Sequence, residues 1–429
     1  MNRSRTFLVL VTIGAAGVAA AGLYQGASAR PRLVREVPWA AEGVWLRADT
    51  HMHTRFSDGS YPLEEVVKQG ASSGCDAVAP TDHADHDLRV ATPEYFAALT
   101  AAREAHPSLV VLAGLEWNVP PRGGDEHVVL LVPPALEQNL AEFKARFDDY
   151  QRDTHEAAMA VDALRWLAGL TPKGEARPVL VYEHPSRRDA RSMDNADDMR
   201  AWRAVNDIVI GFAGAPGHQG MRVVGAYEHT LRTIDRWDPV AAQIGDAWDT
   251  VLGEGLDVWG AYAPSDHHNE REDYWPCQFA ETWVHAPERS AEGVLRALRA
   301  GSFWAAHGHI VRTVAFEVAV EGLPRPAVPG EVVQAAAGTV ARVSLSFDVP
   351  AQDWKGDPNR VDEVELIQVD RAGARSVQVG PPEKEGPALT TNITVPDGGM
   401  VLRARGRRVE PDGPDLMFYT NPIRIITAR

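Results

Sequence analysis

Histidine and carboxylate residues recur at the ends of the apolar segments of this 429-residue chain, between about residues 47 and 270. The segment VWLRADTHMH reads as a strand, and it ends in His51 and His53, whose two-residue spacing puts them on the same face. Helical segments such as PLEEVVKQGASSG and PEYFAALTAAREAH lie between the apolar runs. These repeating strand–helix units predict parallel strands joined by right-handed crossovers.

Nine side chains of the types that bind metals stand at or just beyond the predicted strand ends. They are His51, His53, Asp58, His83, Glu116, His127, His184, Asp266 and His268. In a parallel α/β barrel the carboxyl ends of the strands converge on one face, where active sites lie. Nine ligands are too many for one ion with about four to six ligands, and they suit two or three divalent ions that share a bridging carboxylate.

Each of these histidines, taken alone, is better interpreted as a structural residue with satisfied hydrogen bonds. The ordered set favours a metal centre, because chance would not place all of its members at strand ends. Imidazole and carboxylate ligands without a thiolate suit Mn, Fe or Zn.

Five successive motifs in this region resemble those of a known family. The runs DTHMHTRFSDGSY, APTDH, GLEWN followed by a histidine, YEHP and SDHH, in this order, resemble the motifs of the PHP (polymerase and histidinol phosphatase) family over about residues 47–308. The resemblance implies an α/β fold, a distorted (β/α)7 TIM-like barrel, with a two- or three-metal centre and phosphoesterase activity. It also implies three ligand sets, the first two of which are bridged by Glu116. They are His51, His53, Glu116 and Asp266, then Glu116, His127 and His184, then Asp58, His83 and His268.

Three further residues are candidates for roles beside the metals. Arg187, in HPSR, matches a position that contacts phosphate in some family members, and we expect it to clamp a phosphoryl group by planar, bidentate pairing. Asp82 is expected to orient a metal ligand from behind. His218 lies in a long insertion, within GAPGHQG, where a substrate contact and a simple turn are both open interpretations. The insertion leaves substrate specificity open.

The sequence pattern changes after about residue 310, from strand–helix units to short apolar-polar alternating segments. Seven short alternating segments, from RTVAFEVAV to NPIRIIT, are separated by Gly, Pro and Asp turns and predict a small, all-β, sandwich-like domain. The predicted organisation is therefore residues 1–29 as a signal peptide or anchor, 30–41 as a linker, 42–310 as the metallohydrolase barrel and 311–429 as the β domain.

The N-terminus and the bulk composition limit the location and the partners. Residues 1–29 combine Arg3 and Arg5, an apolar run and an Ala27-Ser28-Ala29 cleavage pattern, which indicates a signal peptide; an uncleaved membrane anchor is the alternative. Either one predicts a periplasmic or secreted body. A formal net charge of −16 argues against stable nucleic-acid binding. Two cysteines, Cys75 and Cys277, do not indicate a disulfide framework, and a single bridge between them is the less favoured alternative.

These features predict an exported, metal-dependent phosphoesterase. Its substrate would be a phosphorylated small molecule or a phosphodiester, hydrolysed by a metal-activated water. A metal-containing binding module of the cell envelope without catalytic activity is the alternative, and turnover would discriminate between the two.

Overall fold

The structure is a computed structural model that describes residues 30–150, 156–171, 176–187, 192–227 and 233–427. The predicted signal peptide or anchor, residues 1–29, lies outside the described residues. None of the helices in the described ranges is long and apolar enough to span a bilayer.

Strands and helices alternate through the first part of the chain. The strands up to residue 307 are β1 (Arg32–Arg35), β2 (Val44–Met52), β3 (Ala77–Pro80), β4 (Val110–Val111), β5 (Ala113–Asn118), β6 (His127–Val132), β7 (Val179–Tyr182), β8 (Val209–Phe212), β9 (Ala280–Ala286) and β10 (Phe303–His307). The helices are α1 (Leu63–Ser72), α2 (Pro93–Ala105), α3 (Asn139–Phe147), α4 (Ala157–Gly169), α5 (Ser192–Val205), α6 (Pro239–Ala242), α7 (Ala247–Gly253) and α8 (Ala291–Ala300). Local sequence fixes several ends, as where Ser290 accepts a hydrogen bond from the Gly293 amide and Gly301 closes α8 at φ 74°.

A distorted, seven-membered barrel forms the first part of the molecule, as the sequence predicts. Strand β2 is parallel to β3, and a parallel bridge between His83 and Glu116 carries the ring on to β5. Strands β5 to β8 continue it, and residues 258–267 close it through bridges to β8 at Trp259 and to β2 at His267. Two details differ from the prediction. Strand β6 runs antiparallel to both of its neighbours, because β5 and β6 form a hairpin, and residues 258–267 form only isolated bridges.

The second part of the chain is all β. Its strands are β11 (Thr313–Val320), β12 (Val332–Ala335), β13 (Val340–Asp348), β14 (Glu363–Asp370), β15 (Gly373–Gly380), β16 (Leu389–Thr394), β17 (Met400–Arg408), β18 (Leu416–Thr420) and β19 (Ile423–Thr427). Strands β11, β13 and β16 form one sheet, and the others join a larger sheet in the order β1-β12-β19-β17-β18-β10-β9-β2-β3-β4, with β14 and β15 branching from β17. The sandwich-like β region is confirmed, and β12 and β18 are additions to the seven predicted segments.

The larger sheet continues from the barrel into the β region. Trp304 of β10 pairs with Thr420 of β18, so backbone hydrogen bonds cross the division predicted at residue 310. The expectation that residues 30–41 are only a linker was wrong, because β1 pairs antiparallel with β12. A strand of four residues with two arginines, RLVR, has too little apolar periodicity to be recognised in isolation.

A disulfide joins Cys75 to Cys277, which is the alternative that the sequence analysis favours less. The two residues are separated by 202 positions, so no local pattern indicates their pairing. The bridge connects the loop between α1 and β3 to the loop between residue 267 and β9. It thereby holds together two segments that flank strand β2.

Candidate metal centre

The structure brings all nine predicted ligands together at the carboxyl ends of the barrel strands. His51 and His53 lie at the end of β2, His83 follows β3, and Glu116 lies in β5. His127 opens β6 from the same side, because that strand runs in the opposite direction. His184 follows β7, while Asp266 and His268 flank the bridge that closes the barrel, and Asp58 lies in the turn beyond β2.

Glu116 is the centre of this cluster. Its two carboxylate oxygens lie within hydrogen-bonding range of nitrogens from five different imidazole rings, at 3.4 Å from His51, 3.2 Å from His53, 3.0 Å from His83, 3.1 Å from His127 and 3.3 Å from His184. The carboxylate is 1% exposed. Buried charges require compensation by opposite charge or by metal ions. This arrangement matches the bridging position that the family resemblance implies for Glu116.

The three implied ligand sets are each gathered in space. His51, His53, Glu116 and Asp266 form one group, and His53, Asp58, His83 and His268 form another, each with ligand atoms within 4.8 Å of one another. In the remaining set, the Nδ1 of His127 lies 3.3 Å from the Nε2 of His184. Together with the distances to Glu116 given above, this closes a three-residue set. His83 lies between this set and the set that contains Asp58, because its Nδ1 faces Glu116 while its Nε2 faces Asp58.

Two buried oxygens test whether these residues fit divalent ions. Within the described residues, Glu116 Oε2 and Asp266 Oδ1 have no hydrogen-bond partner. They lie 3.2 Å and 3.1 Å from the Nε2 of His53. A buried carboxylate oxygen without a donor is costly, whereas a divalent cation binds carboxylate oxygens and neutral imidazole nitrogens together. The residues present therefore fit the metal ions that the family implies.

The carboxylates and imidazoles shift one another's pKa values strongly. Burial alone would raise the pKa of Asp266, but the charge of His51 and the close approach of His53 lower that pKa well below its usual value. Burial likewise opposes the charged form of His51, while Asp266 and Glu116 raise its pKa well above the ordinary value. The cluster thus holds its carboxylates in the ionised form that metal ligands require.

Asp82 lies behind the cluster and organises the turn that carries Asp58. Its carboxylate accepts hydrogen bonds from the amide and hydroxyl of Thr54 at 2.7 and 2.8 Å and from the hydroxyl of Ser57 at 2.8 Å. The same Ser57 hydroxyl oxygen lies 3.0 Å from Asp58 Oδ1. Asp82 therefore acts on the site through the turn and does not itself line it.

Arg187 lies at the outer side of Asp266. Its Nη2 donates to Asp266 Oδ2 at 3.2 Å, and its Nε donates to the carbonyl of Gly225 at 2.9 Å. The opposite oxygen of Asp266 faces His51 and His53. Arg187 thus lies directly beside the metal cluster, at 13% exposure, where a guanidinium can pair with an anionic group.

Two buried carboxylates near the cluster were missed by the sequence analysis. Glu183 lies 3.2 Å from the Nδ1 of His51, on the side away from Glu116, and burial raises its pKa to about 7. Asp49 accepts hydrogen bonds from the amides of Ser265 and Cys277, and burial raises its pKa to about 6. Outer carboxylates of this kind orient metal-binding histidines. The YEHP motif contains Glu183, but sequence alone does not show which side of the strand end it faces.

Comparison with known proteins agrees with this geometry. Residues 49–161 match the sequence model of the PHP domain family. This segment of the chain carries the PHP-domain sequence pattern. No curated protein matches the chain. The match covers the segment that supplies His51, His53, Asp58, His83, Glu116 and His127.

Three solved structures are similar to the chain. A two-domain protein from Bacteroides vulgatus that contains a predicted PHP-like metal-dependent phosphoesterase is 15% identical, with 90% of this chain and 95% of that chain covered and a TM-score of 0.39. A protein from Bifidobacterium adolescentis proposed to be a metal-dependent phosphoesterase is 17% identical, with 52% and 88% covered and a TM-score of 0.28. An amidohydrolase from Chromobacterium violaceum with bound sulfate and no metal is 17% identical, with 53% and 89% covered and a TM-score of 0.31. These values are too low to transfer a substrate to this PHP domain.

Proposed function

We propose that this protein is an exported hydrolase of phosphate esters that uses two or three divalent ions, Mn, Fe or Zn, held by the nine ligands. One observation carries the proposal: the single carboxylate of Glu116 faces five imidazole rings. A site for one structural ion needs about four ligands and no bridge, whereas a shared carboxylate suits adjacent ions. Bound divalent ions lower the pKa of a water molecule toward neutrality and neutralise charge on phosphoryl oxygens.

The chain's own residues supply orientation and a place for the anionic substrate. Glu183 and Asp82 hold His51 and the Asp58 turn from behind, so the ligands are fixed before substrate arrives. Arg187 offers a guanidinium at the outer face of Asp266, where it can pair with phosphoryl oxygens through two parallel hydrogen bonds. Both monoesters and diesters present such oxygens. The substrate is therefore proposed only as a phosphorylated small molecule or a phosphodiester.

Export is part of the proposal and rests on two features. Residues 1–29 have the pattern of a signal peptide, with an uncleaved membrane anchor as the alternative. The Cys75–Cys277 disulfide supports an oxidising compartment, such as the periplasm or the outside of the cell, because cytosolic thiols are kept reduced. The net charge of −16 supports the absence of stable nucleic-acid binding.

Metal analysis combined with a substrate panel tests the proposal. We expect purified protein to contain two or three divalent ions and to hydrolyse p-nitrophenyl phosphate or its bis-ester. A chelator and His51→Ala should both abolish turnover, and added metal should restore it only in the wild type. His106→Ala is the matched control, since His106 lies at the end of α2, outside the cluster. Bound metal without turnover on any phosphate ester would instead support the non-catalytic binding module of the envelope.

A further inference from the structure

The inserted GAPGHQG loop lies against the metal cluster. A Cβ atom added at Gly217 would lie only 2.0 Å from the Cβ of Asp266, so no other residue fits at this position without displacing that ligand. The neighbouring His218 adopts φ 51°, a left-handed conformation that is uncommon for residues other than glycine and asparagine. The loop therefore approaches Asp266 closely and presents His218 from a constrained backbone, which excludes the interpretation as a simple surface turn.

The imidazole of His218 lies between two carboxylates. Its Nδ1 is 3.0 Å from Asp273 Oδ1, and its Nε2 is 3.8 Å from Asp266 Oδ2. Asp273 is buried, and its other oxygen accepts a hydrogen bond at 2.7 Å from the amide of His268, a predicted metal ligand. Asp273 thus fixes the orientation of His218 relative to the metal cluster.

The same oxygen of Asp266 is the meeting point of His218 and Arg187. Arg187 Nη2 approaches Asp266 Oδ2 at 3.2 Å, from the turn that follows β7, while His218 approaches from the inserted loop. Both side chains are about one-eighth exposed, at 13% and 12%, so they line the site and remain open on one side. Both nitrogen groups therefore lie beside Asp266 on the side away from His51 and His53, where their partly exposed N–H groups can bind an anionic oxygen of a substrate.

Hydrogen bonds hold these two segments together. Asp238 accepts hydrogen bonds from the amide and hydroxyl of Ser186, next to Arg187, and from the hydroxyl of Tyr227, which follows the inserted loop in the chain. Gly225 accepts from Arg187 Nε through its carbonyl. Because the Gly225 amide also donates to the carbonyl of His218 at 3.4 Å, these contacts fix the position of Arg187 relative to His218.

We propose that His218 is a substrate-binding residue that, together with Arg187, holds the phosphoryl group beside the metal cluster, and that Asp273 positions it. The proposal rests on the proposed function only in naming a phosphate ester as the ligand. A competing role must be separated from it, because His218, His268 and Asp273 also form a group whose ligand atoms lie within 4.8 Å of one another. If His218 bound a metal ion, its loss would remove that ion.

Binding of inorganic phosphate to the metal-loaded, full-length protein, measured by calorimetry, tests the proposal. His218→Asn is the decisive variant, since asparagine tolerates the left-handed backbone but is too short to reach Asp266 Oδ2. We expect about a tenfold to hundredfold rise in the Kd for phosphate, as for the loss of one hydrogen bond to a charged group, with metal content equal to that of the wild type. Asp273→Asn should weaken phosphate binding less than His218→Asn. His309→Asn is the control, because His309 also has a positive φ, 53°, and is not part of the cluster.

Two results would overturn the proposal. One is unchanged phosphate binding by His218→Asn, and the other is a loss of bound metal from that variant, which would make His218 a ligand. The proposed function fails separately: if the wild type binds phosphate through His218 but hydrolyses no ester, the binding role stands and the hydrolase does not. If esters are hydrolysed, we expect His218→Asn to raise KM by a larger factor than it lowers kcat.

Discussion

The molecule contains two groups of buried charges that are organised in opposite ways. Where helix α7 packs on strand β17, Arg403 donates from Nε and Nη2 to the two oxygens of Asp249 at 2.8 and 2.9 Å, and both side chains are almost fully buried. In the metal cluster, Glu116 and Asp266 each retain a buried oxygen without a hydrogen-bond partner in the described residues. The first carboxylate has both oxygens paired with one guanidinium, whereas the second two are surrounded by imidazoles and keep oxygens that a divalent ion can bind.

This difference separates a structural pair from a site. In a buried, bidentate pair the two charges compensate each other directly, even though Arg403 Nη1 has no hydrogen-bond partner among the described residues. A cluster that gathers carboxylates and imidazoles without completing their hydrogen bonds is unfavourable in itself, and natural proteins retain such clusters where a ligand repays the cost. The comparison predicts that the cluster can be altered with large effects on activity and small effects on folding, and that the Arg403–Asp249 pair shows the reverse.

The largest expected effect is on catalysis and comes from Glu116→Gln. The substitution keeps the side-chain shape but removes the bridging charge, so phosphate-ester turnover should fall about a thousandfold or more, equivalent to several kcal/mol of transition-state stabilisation. The melting temperature measured in chelator should change little, because glutamine preserves the volume of the side chain and its carbonyl oxygen can still accept a hydrogen bond from the surrounding imidazoles. Full metal content and near-normal turnover in Glu116→Gln would remove the basis for a bridged centre.

The next effect is on stability and comes from Arg403→Met. This change leaves Asp249 as a buried carboxylate without its partner, and breaking such a pair costs about 3–5 kcal/mol. Urea unfolding should show the loss, while turnover per folded molecule stays at the wild-type value. Replacing both members, as Arg403→Met with Asp249→Leu, should recover most of the stability. If the single variant instead lost its metal, the two groups of charges would not be independent.

Metal binding should stabilise the fold by a smaller amount. Ions that bind only the folded state at about 100 times their Kd add about 2.7 kcal/mol, which is visible as a rise in melting temperature on adding Mn²⁺ or Zn²⁺ to chelated protein. The rise should be the same in Arg403→Met and should be absent or much reduced in Glu116→Gln. An equal rise in Glu116→Gln would mean that the ions bind elsewhere.

The sequence predicted the barrel and the convergence of the nine candidate ligands because both follow from short-range patterns. A strand end is readable from apolar runs, and the topology of the barrel then brings the ends together. Three features were not predictable in this way. Glu183 depends on the direction in which a strand-end side chain faces, and the Cys75–Cys277 bridge joins residues 202 positions apart. The pairing of β10 with β18 carries one sheet across the predicted domain division, and a nonlocal pairing of this kind leaves no local pattern.

His307 is a buried histidine outside the metal cluster, and its replacement has the smallest expected effect. Its ring lies between Phe279 and Trp237, at 5.1 and 4.9 Å, and neither of its nitrogens has a hydrogen-bond partner in the described part of the chain. Burial and the charge of Arg236 lower its pKa well below the ordinary value. Unpartnered polar atoms therefore indicate a metal site only where carboxylates converge with imidazoles.

The lowered pKa of His307 gives a pH dependence of known sign. The folded protein holds the ring neutral, while the unfolded chain takes up a proton below about pH 6.5, so this residue costs stability progressively as the pH falls. His307→Leu, which nearly preserves volume, should remove a loss that approaches about 1.4 kcal/mol per pH unit. Urea unfolding of both proteins between pH 7 and pH 5.5 measures it, and the ligand histidines cancel because both proteins contain them. Parallel stability curves would show that His307 becomes protonated without unfolding, so that burial alone would not hold a histidine neutral in this protein.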